Sequence, residues 1–272
     1  MKLSFTKMQA IGNDFIIINQ IETSYNLNAK VIQKLADRHF GIGFDQLLII
    51  ENSQSTANDF KYRIFNADGS EVEHCGNGAR CFYEYIKYKR LSNKEIILAE
   101  TMKGTIRLSQ EDDRVTVDMG RYQLTQTETN QPPSFDIFYQ DKTILSTGII
   151  VEMGNPHIVF FLEHIDQIDA VKTGKAVQQS PHFPNSINVG FCEIISGRQL
   201  KLIVYERGSG LTLGCGSGAC AATVSAIHTK KIKDTEIEIS MPGGIIYSQL
   251  ISNDHVLLKG DAEIVYEGSI NL

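Results

Sequence analysis

The sequence predicts an α+β protein with two domains of like fold, each a sheet curled around a central helix. Three observations predict this class. Two similar Cys-Gly motifs lie 140 residues apart, short strand-like segments dominate the chain, and one helical segment is apolar or small on every side. A helix of that kind is enclosed by the rest of its domain. The length of 272 residues allows two modest domains.

An internal repeat predicts the number of domains. Cys75 opens the segment Cys-Gly-Asn-Gly-Ala-Arg-Cys, and Cys215 opens Cys-Gly-Ser-Gly-Ala-Cys. The same offset of 140 aligns Phe65 with Tyr205 and Gly104 with Gly244. A period this long excludes a solenoid and indicates a diverged duplication. The polar, proline-containing residues 123–134 are the predicted linker.

The strands and helices are predicted from local residue patterns. Short β-branched or alternating segments bounded by turn residues predict strands at 15–19, 46–51, 62–65, 95–98, 105–108, 115–119, 158–162, 202–205, 236–239 and 255–258. Apolar residues at helical spacing predict helices at 28–39 and 78–89, and the all-apolar segment predicts a third at 218–228.

Composition excludes several classes of function. The net charge is −6 and the longest apolar run is five residues, so neither nucleic acid nor a membrane is an expected partner. The N-terminal residues show no signal-peptide pattern, and we expect a cytoplasmic protein. The oligomeric state is open, with a homodimer as the working expectation. Five cysteines in such a chain predict thiols, metal ligands or catalytic groups rather than disulfides.

The two Cys-Gly motifs carry the chemistry. In each copy a strand leads through a polar loop to a Cys, a Gly-X-Gly turn and a helix start. Unpaired helical N–H groups bind anions and lower the pKa of a nearby thiol. Two such sites facing each other across a cleft would place Cys75 and Cys215 on opposite sides of one small anion. This arrangement suits two-base racemisation, in which one thiolate removes an α-proton and the opposite thiol returns one.

The cysteines also allow other interpretations. Cys81, Cys192 and Cys220 are expected to be inert, buried residues. The cysteine spacings, without paired histidines, do not match zinc sites, and no metal is expected. A thiol redox or metal-binding protein is the hypothesis from another class, and thiol titration with metal analysis would separate it.

The chain resembles the diaminopimelate epimerase family, whose members are independent of pyridoxal phosphate and related to proline racemases. The matching residues include Gly12-Asn13-Asp14-Phe15, Asn155-Pro156-His157 and Glu206-Arg207-Gly208. Further matches cover the Cys75 and Cys215 motifs and residues 38–46, 62–71, 153–154, 188–191, 205 and 242–244.

The resemblance implies a fold, an activity and a site. It implies mixed sheets in pseudo-symmetric domains, residues 1–120 with 261–272 returning to them and residues 121–260, with the active site in the cleft. It implies conversion of LL-diaminopimelate to the meso form, without a cofactor, in lysine and peptidoglycan-precursor synthesis. Cys75 and Cys215 would be the acid–base pair. The implied substrate-binding residues are Asn13, Gln46, Asn66, Gly76, Asn77, Asn155, Asn188, Glu206, Arg207, Gly216 and Ser217.

Finer roles follow from the same resemblance. Amides around Gly76, Asn77, Gly216 and Ser217 would hold the reacting carboxylate, and Arg207 would clamp the distal one. A protonated His157 would favour thiolate at one sulfur, and Glu206 would keep the other as thiol.

Three positions depart from the family pattern: His74, Leu211 and Gly214. They leave loop packing and thiol pKa open. Which thiol is the base for which epimer is also open, as is a disulfide between Cys75 and Cys215 after mild oxidation. The alternative within the fold is a racemase of proline, histidine or another amino acid, and Glu206-Arg207 argues against it.

Overall fold

A mixed sheet builds each half of the chain. The computed structural model describes residues 2–73, 75–124 and 132–272. It divides into a first unit, Met1–Asp118 with Gly260–Leu272, and a second unit, Met119–Lys259. The predicted linker lies largely outside the described residues, which include only residues 123–124 and 132–134 of it.

The strands and helices of the described residues are as follows. The strands up to the middle of the chain are β1 Lys2–Ala10, β2 Asn13–Asn19, β3 Gln46–Glu51, β4 Phe60–Asn66, β5 Glu71–Val72, β6 Ile97–Thr101, β7 Gly104–Glu111, β8 Arg114–Arg121 and β9 Gln123–Leu124. The later strands are β10 Ser134–Phe138, β11 Thr143–Thr147, β12 Ile149–Glu152, β13 Pro156–Phe161, β14 Asn188–Ser196, β15 Gln199–Glu206, β16 Gly210–Thr212, β17 Glu236–Met241, β18 Gly244–Leu250, β19 His255–Gly260 and β20 Glu263–Asn271. The helices are α1 Ala29–Ala36, α2 Gly76–Tyr88, α3 Ala170–Gln178 and α4 Gly216–His228.

The first unit has one sheet with both parallel and antiparallel neighbours. The C-terminal strand β20 pairs antiparallel with β1, which pairs antiparallel with β2. Strand β2 runs parallel to β3, with Phe15 opposite Gln46, and β3 pairs antiparallel with β4. Strand β4 then pairs antiparallel with β5 and parallel with β6, and β6, β7 and β8 form an antiparallel meander.

The second unit repeats this order. Strand β13 runs parallel to β14, with His157 opposite Asn188, and β14 pairs antiparallel with β15. Strand β15 pairs antiparallel with β16 and parallel with β17, which continues through β18. Strands β10 and β11 form an added hairpin. Each parallel pair is connected through a helix, as such pairs require. The predicted α+β class with two homologous units is confirmed.

One helix lies at the centre of each unit. Helix α2 packs against β1, β2, β3, β7 and β20, and α4 packs against β12, β13, β14, β15 and β18. Because α2 contacts strands from distant positions in the sheet order, that sheet must curl around it. Nearly every residue of α4 from Gly216 to Ala226 is buried, as its apolar composition predicted.

The strands beside these helices are buried on both faces. In β2, Ile16 and Ile18 pack with α1 in one apolar cluster, while Phe15 lies on the face of Gly78 in α2. Alternate residues of a strand point to opposite faces, so covering both faces produces a continuous apolar run. The continuous apolar runs of β3 and β13 have the same cause. The starts of the central helices therefore pack against buried strands.

Candidate active site

Cys75 and Cys215 occupy the same position in their two units. Each is the residue before its helix, with extended backbone angles, and its sulfur accepts a hydrogen bond from an amide in the first turn. The acceptor distances are 3.4 Å from Gly78 N to Cys75 Sγ and 3.4 Å from Gly218 N to Cys215 Sγ. A helix start combines unpaired N–H groups with the positive end of the dipole. Each sulfur therefore lies where a carboxylate or a thiolate is stabilised.

The Gly-X-Gly sequence lets each helix start approach the sheet. A Cβ atom on Gly78 would lie 2.4 Å from the hydroxyl oxygen of Tyr62. A Cβ atom on Gly218 would lie 3.0 Å from Val204 and 3.2 Å from the Cys215 sulfur. Neither glycine has a positive φ, so these positions need glycine for close approach.

In the first unit, the predicted polar residues form two bonded pairs. Asn13 Oδ1 lies 4.0 Å from the Cys75 sulfur and accepts from Asn77 Nδ2 at 3.3 Å. Gln46 Nε2 donates to Asn66 Oδ1 at 3.0 Å. Gln46 Oε1 is buried without a hydrogen-bond partner among the described residues, and such an acceptor is costly to leave unpaired. This oxygen can accept an ammonium or amide N–H of a ligand.

In the second unit, a polar chain leads away from Cys215. The sulfur lies 3.6 Å from Ser217 Oγ, which lies 3.0 Å from His157 Nε2. The same nitrogen lies 3.0 Å from Asn155 Oδ1. Three predicted site residues, Asn155, His157 and Ser217, are thus brought together beside the thiol.

The Cys215 thiol is protonated at neutral pH. Burial raises its pKa well above the usual value, and the negative charge of Glu206 raises it further. Glu206 is held in place by the hydroxyl of Thr212, which donates to its carboxylate. Burial also raises the pKa of the Cys81 and Cys192 thiols.

The expectation of a protonated His157 is wrong. Its side chain is buried, and burial together with the positive charge of Arg207 lowers its pKa to about 3. The imidazole is therefore neutral at pH 7. It can orient Ser217 through a hydrogen bond, but it does not supply a positive charge to a sulfur.

Asn188 and Arg207 hold the loop between β15 and β16. Asn188 Nδ2 donates to Pro156 O at 3.0 Å, and its Oδ1 accepts from Arg207 N at 2.9 Å. Arg207 Nη1 donates to Asn185 O at 3.2 Å, and the side chain is otherwise exposed. A guanidinium in this state has further N–H groups to bind a carboxylate.

The remaining expectations concern the departures, the thiols and metal binding. Leu211 is exposed and Gly214 is buried, whereas His74 lies outside the described residues. All five cysteines are thiols, and all but Cys75 are buried. Within residues 2–73, 75–124 and 132–272, no group of three His, Cys, Asp or Glu side chains is arranged to hold a metal. No helix in the described part of the chain is long and apolar enough to span a membrane.

Three further residues act on the site and had no predicted role. Arg80 donates to the Asn77 side chain, Asp45 accepts from Asn13, and Thr212 donates to Glu206. Arg80 and Asp45 lie inside the matching motifs. The signal that could have singled out Arg80 is its place in a predicted helix that begins beside the Cys75 motif, because a buried arginine needs a partner.

Comparisons with known proteins agree on one family. The family model described as diaminopimelate epimerase matches residues 5–125 and 149–265. The diaminopimelate epimerase of Nitrosomonas europaea is 42% identical, and that of Teredinibacter turnerae is 40% identical, with 100% of both chains covered in each comparison.

Solved structures share the fold at low identity. A hydroxyproline epimerase from Agrobacterium vitis matches with a TM-score of 0.71 at 10% identity, covering 100% of this chain and 93% of that one. A PhzF-family phenazine biosynthesis protein from Enterococcus faecalis matches with a TM-score of 0.73 at 13% identity, covering 100% of both chains.

Proposed function

The chain belongs to the diaminopimelate epimerase family and is an isomerase acting on diaminopimelate, and we propose that Cys75 and Cys215 are its two acid–base residues. The observation that carries the proposal is the equivalent placement of the two thiols. Each caps the central helix of its unit and accepts from the third residue of that helix. A duplicated thiol site suits a reaction that treats the two faces of one carbon alike.

The proposed step moves two protons. A thiolate at one cysteine takes the α-proton and becomes a thiol, while the thiol at the other gives its proton to the opposite face and becomes a thiolate. Because burial and Glu206 keep Cys215 protonated, Cys215 would act as the acid in this direction and the Cys75 sulfur would act as the base. The reverse reaction uses the opposite protonation state. Amides at residues 76–77 and 216–217 would stabilise the charge that develops on the substrate carboxylate.

The polar residues of each unit supply the substrate contacts in this proposal. Asn13, Gln46 and Asn66 of the first unit would bind ammonium and carboxylate groups, as amides can do both. Asn155, Asn188 and Glu206 would do so in the second unit, and Arg207 would bind the distal carboxylate. His157 would position Ser217 and influence the Cys215 thiol as a neutral imidazole.

The location and assembly of the enzyme are also proposed. A cytoplasmic enzyme is supported by the five thiols, because that compartment keeps cysteines reduced. A homodimer is proposed as the assembly. Sedimentation analysis of the purified protein would test the dimer.

The substrate is tested by a direct comparison. The purified protein is incubated in deuterated water with LL-diaminopimelate, proline, histidine or glutamate, and deuterium at the α-carbon is measured by mass spectrometry. We expect exchange and epimerisation of diaminopimelate alone. Exchange of proline or histidine without exchange of diaminopimelate would overturn the assignment and favour the racemase alternative.

A further inference from the structure

A continuous set of hydrogen bonds passes beside the Cys75 sulfur. Arg80 is fully buried in α2, and its Nη2 donates to Asn77 Oδ1 at 3.1 Å. Asn77 Nδ2 donates to Asn13 Oδ1 at 3.3 Å, and Asn13 Nδ2 donates to Asp45 Oδ2 at 2.9 Å. Asn13 Oδ1 is also the atom 4.0 Å from Cys75 Sγ. We call these four residues, Arg80, Asn77, Asn13 and Asp45, the amide chain.

The chemistry of the two ends sets the direction of the amide chain. A guanidinium can only donate hydrogen bonds and a carboxylate can only accept them, whereas an Asn amide can do either after a flip. Arg80 therefore requires the oxygen of Asn77 to face it, which turns the nitrogen toward Asn13. Asp45 requires the nitrogen of Asn13 to face it. Both ends impose the same orientation on Asn13.

Both ends are themselves held firmly. Arg80 Nε donates to Asp261 O at 3.3 Å. Asp45 accepts from Arg38 at 2.8 Å and from the backbone N of Asp14 at 3.2 Å, and its own N donates to Asp14 Oδ1 at 2.9 Å. Although burial alone would raise it, Arg38 and Lys7 hold the pKa of Asp14 well below its usual range. The Asp14 carboxylate therefore stays ionised and remains an acceptor.

We propose that Arg80 and Asp45 are positioning residues that act together to fix the Asn13 amide. The fixed amide presents its oxygen to the Cys75 sulfur and keeps its second N–H, which Asp45 does not use, for a substrate carboxylate. The substrate part of this inference rests on the proposed function. Either end alone favours this direction of the amide chain, so the loss of both ends should weaken it more than the two single losses combined.

The test is a double-mutant cycle with Arg80→Met and Asp45→Asn. Methionine fills the space without a donor, and asparagine keeps the shape but can donate or accept. We measure kcat/KM for diaminopimelate in the wild type, both single variants and the double variant. We expect the double variant to lose about tenfold more than the product of the single losses, within the usual range for coupled residues. Simple multiplication of the single losses would overturn the proposal.

Two controls distinguish a lost direction of the amide chain from general structural damage. Arg80→Lys retains a group that only donates, so combining it with Asp45→Asn should restore multiplicative behaviour. Arg63→Met removes an arginine whose partners are Glu71 and Glu51, and with Asp45→Asn it should also be multiplicative. If Arg80→Met fails to fold, Arg80→Gln replaces it, since an amide likewise imposes no direction. Excess loss in either control pair would contradict the proposal.

A second readout does not depend on turnover. The pH midpoint for alkylation of Cys75 by iodoacetamide is measured by peptide mass spectrometry in the same four proteins. A freed Asn13 can turn an N–H toward the sulfur and stabilise thiolate. We therefore expect the pH midpoint of the double variant to lie further below the wild-type midpoint than the two single shifts predict when added. Strictly additive shifts would overturn the proposal. Failure of the proposed function would appear instead as a wild type without diaminopimelate turnover.

Discussion

The Cys75 and Cys215 sulfurs have the same local geometry and different electrostatic surroundings. Both cap a helix and accept from its third residue. Cys215 is buried and faces the Glu206 carboxylate, whereas Cys75 is partly exposed and faces a side-chain amide. At Cys215, burial and the Glu206 carboxylate raise the thiol pKa by more than the hydrogen bonds from Ser217 and Gly218 lower it.

Replacement of Glu206 tests this balance. Because the carboxylate raises the pKa of Cys215, Glu206→Gln should lower that pKa and speed alkylation of Cys215 about three- to tenfold at pH 8. The measurement is iodoacetamide labelling followed by peptide mass spectrometry. Glu163→Gln, which neutralises an exposed carboxylate of the same unit, is the control and should change nothing. An unchanged rate in Glu206→Gln would contradict the assigned cause.

His157 makes stability depend on pH. Burial lowers its pKa to about 3 in the folded chain, so between pH 6.5 and 3 the unfolded chain binds a proton that the folded chain does not. The contribution to stability is complete above pH 6.5 and is lost as the pH falls. The His157 imidazole should make the free energy of unfolding fall by about 1.4 kcal/mol for each pH unit between pH 6 and 4, and His157→Gln should remove this contribution. The measurement is denaturant unfolding at several pH values. The same dependence of the unfolding free energy on pH in both proteins would refute this.

At the residue scale, the sequence indicated which residues lie beside the thiols better than it indicated their charge states. The thiols and their amide neighbours followed from the motifs. The neutral state of His157 did not follow from the motifs, because it depends on burial in the folded protein and on Arg207, which is distant in sequence. Arg80 lacked a predicted role for a similar reason, since its guanidinium donates to the carbonyl of Asp261, which is distant in sequence.

The central helices depend on close contact at their first turns. A Cβ on Gly78 would lie 2.4 Å from the Tyr62 hydroxyl, which donates to the carbonyl of Cys75. Gly78→Ala should therefore destabilise the first unit by about 1–3 kcal/mol, the usual cost of overpacking, and slow turnover. Thermal unfolding and kcat measure the two effects.

Gly197→Ala is the matched control for this prediction. Gly197 lies in an exposed turn with open space where a Cβ would lie, so the stability of Gly197→Ala should stay within about 0.5 kcal/mol of the wild type. Equal melting temperatures for Gly78→Ala and the wild type would show that the close approach is not needed.

At the element scale, strands with strong local patterns were predicted well. The predicted segment 46–51 matches β3, and 255–258 lies within β19. The prediction of a strand at 95–98 was displaced, because β6 spans Ile97–Thr101 in order to pair with β4 and β7. Helix α3 was missed because Gly174 interrupts its weak apolar pattern. That glycine is needed where a Cβ would lie 2.4 Å from Tyr205.

At the scale of the whole molecule, the duplication determines the architecture. The parallel pairs β2 with β3 and β13 with β14 recur in register, and a thiol-capped helix follows in each copy. The offset between the Cys motifs therefore predicted the duplicated fold. It could not predict the added hairpin β10–β11, which has no counterpart among the described residues of the first unit.

Two thiols that act on opposite faces of one carbon leave an isotopic signature in the product. LL-diaminopimelate is epimerised in deuterated water and stopped at low conversion, and the product and remaining substrate are analysed by mass spectrometry. We expect deuterium at the inverted α-carbon of the product and none in the remaining substrate, with no turnover in Cys75→Ala or Cys215→Ala. Product that retains the original α-proton, or an active alanine variant, would contradict the two-thiol account.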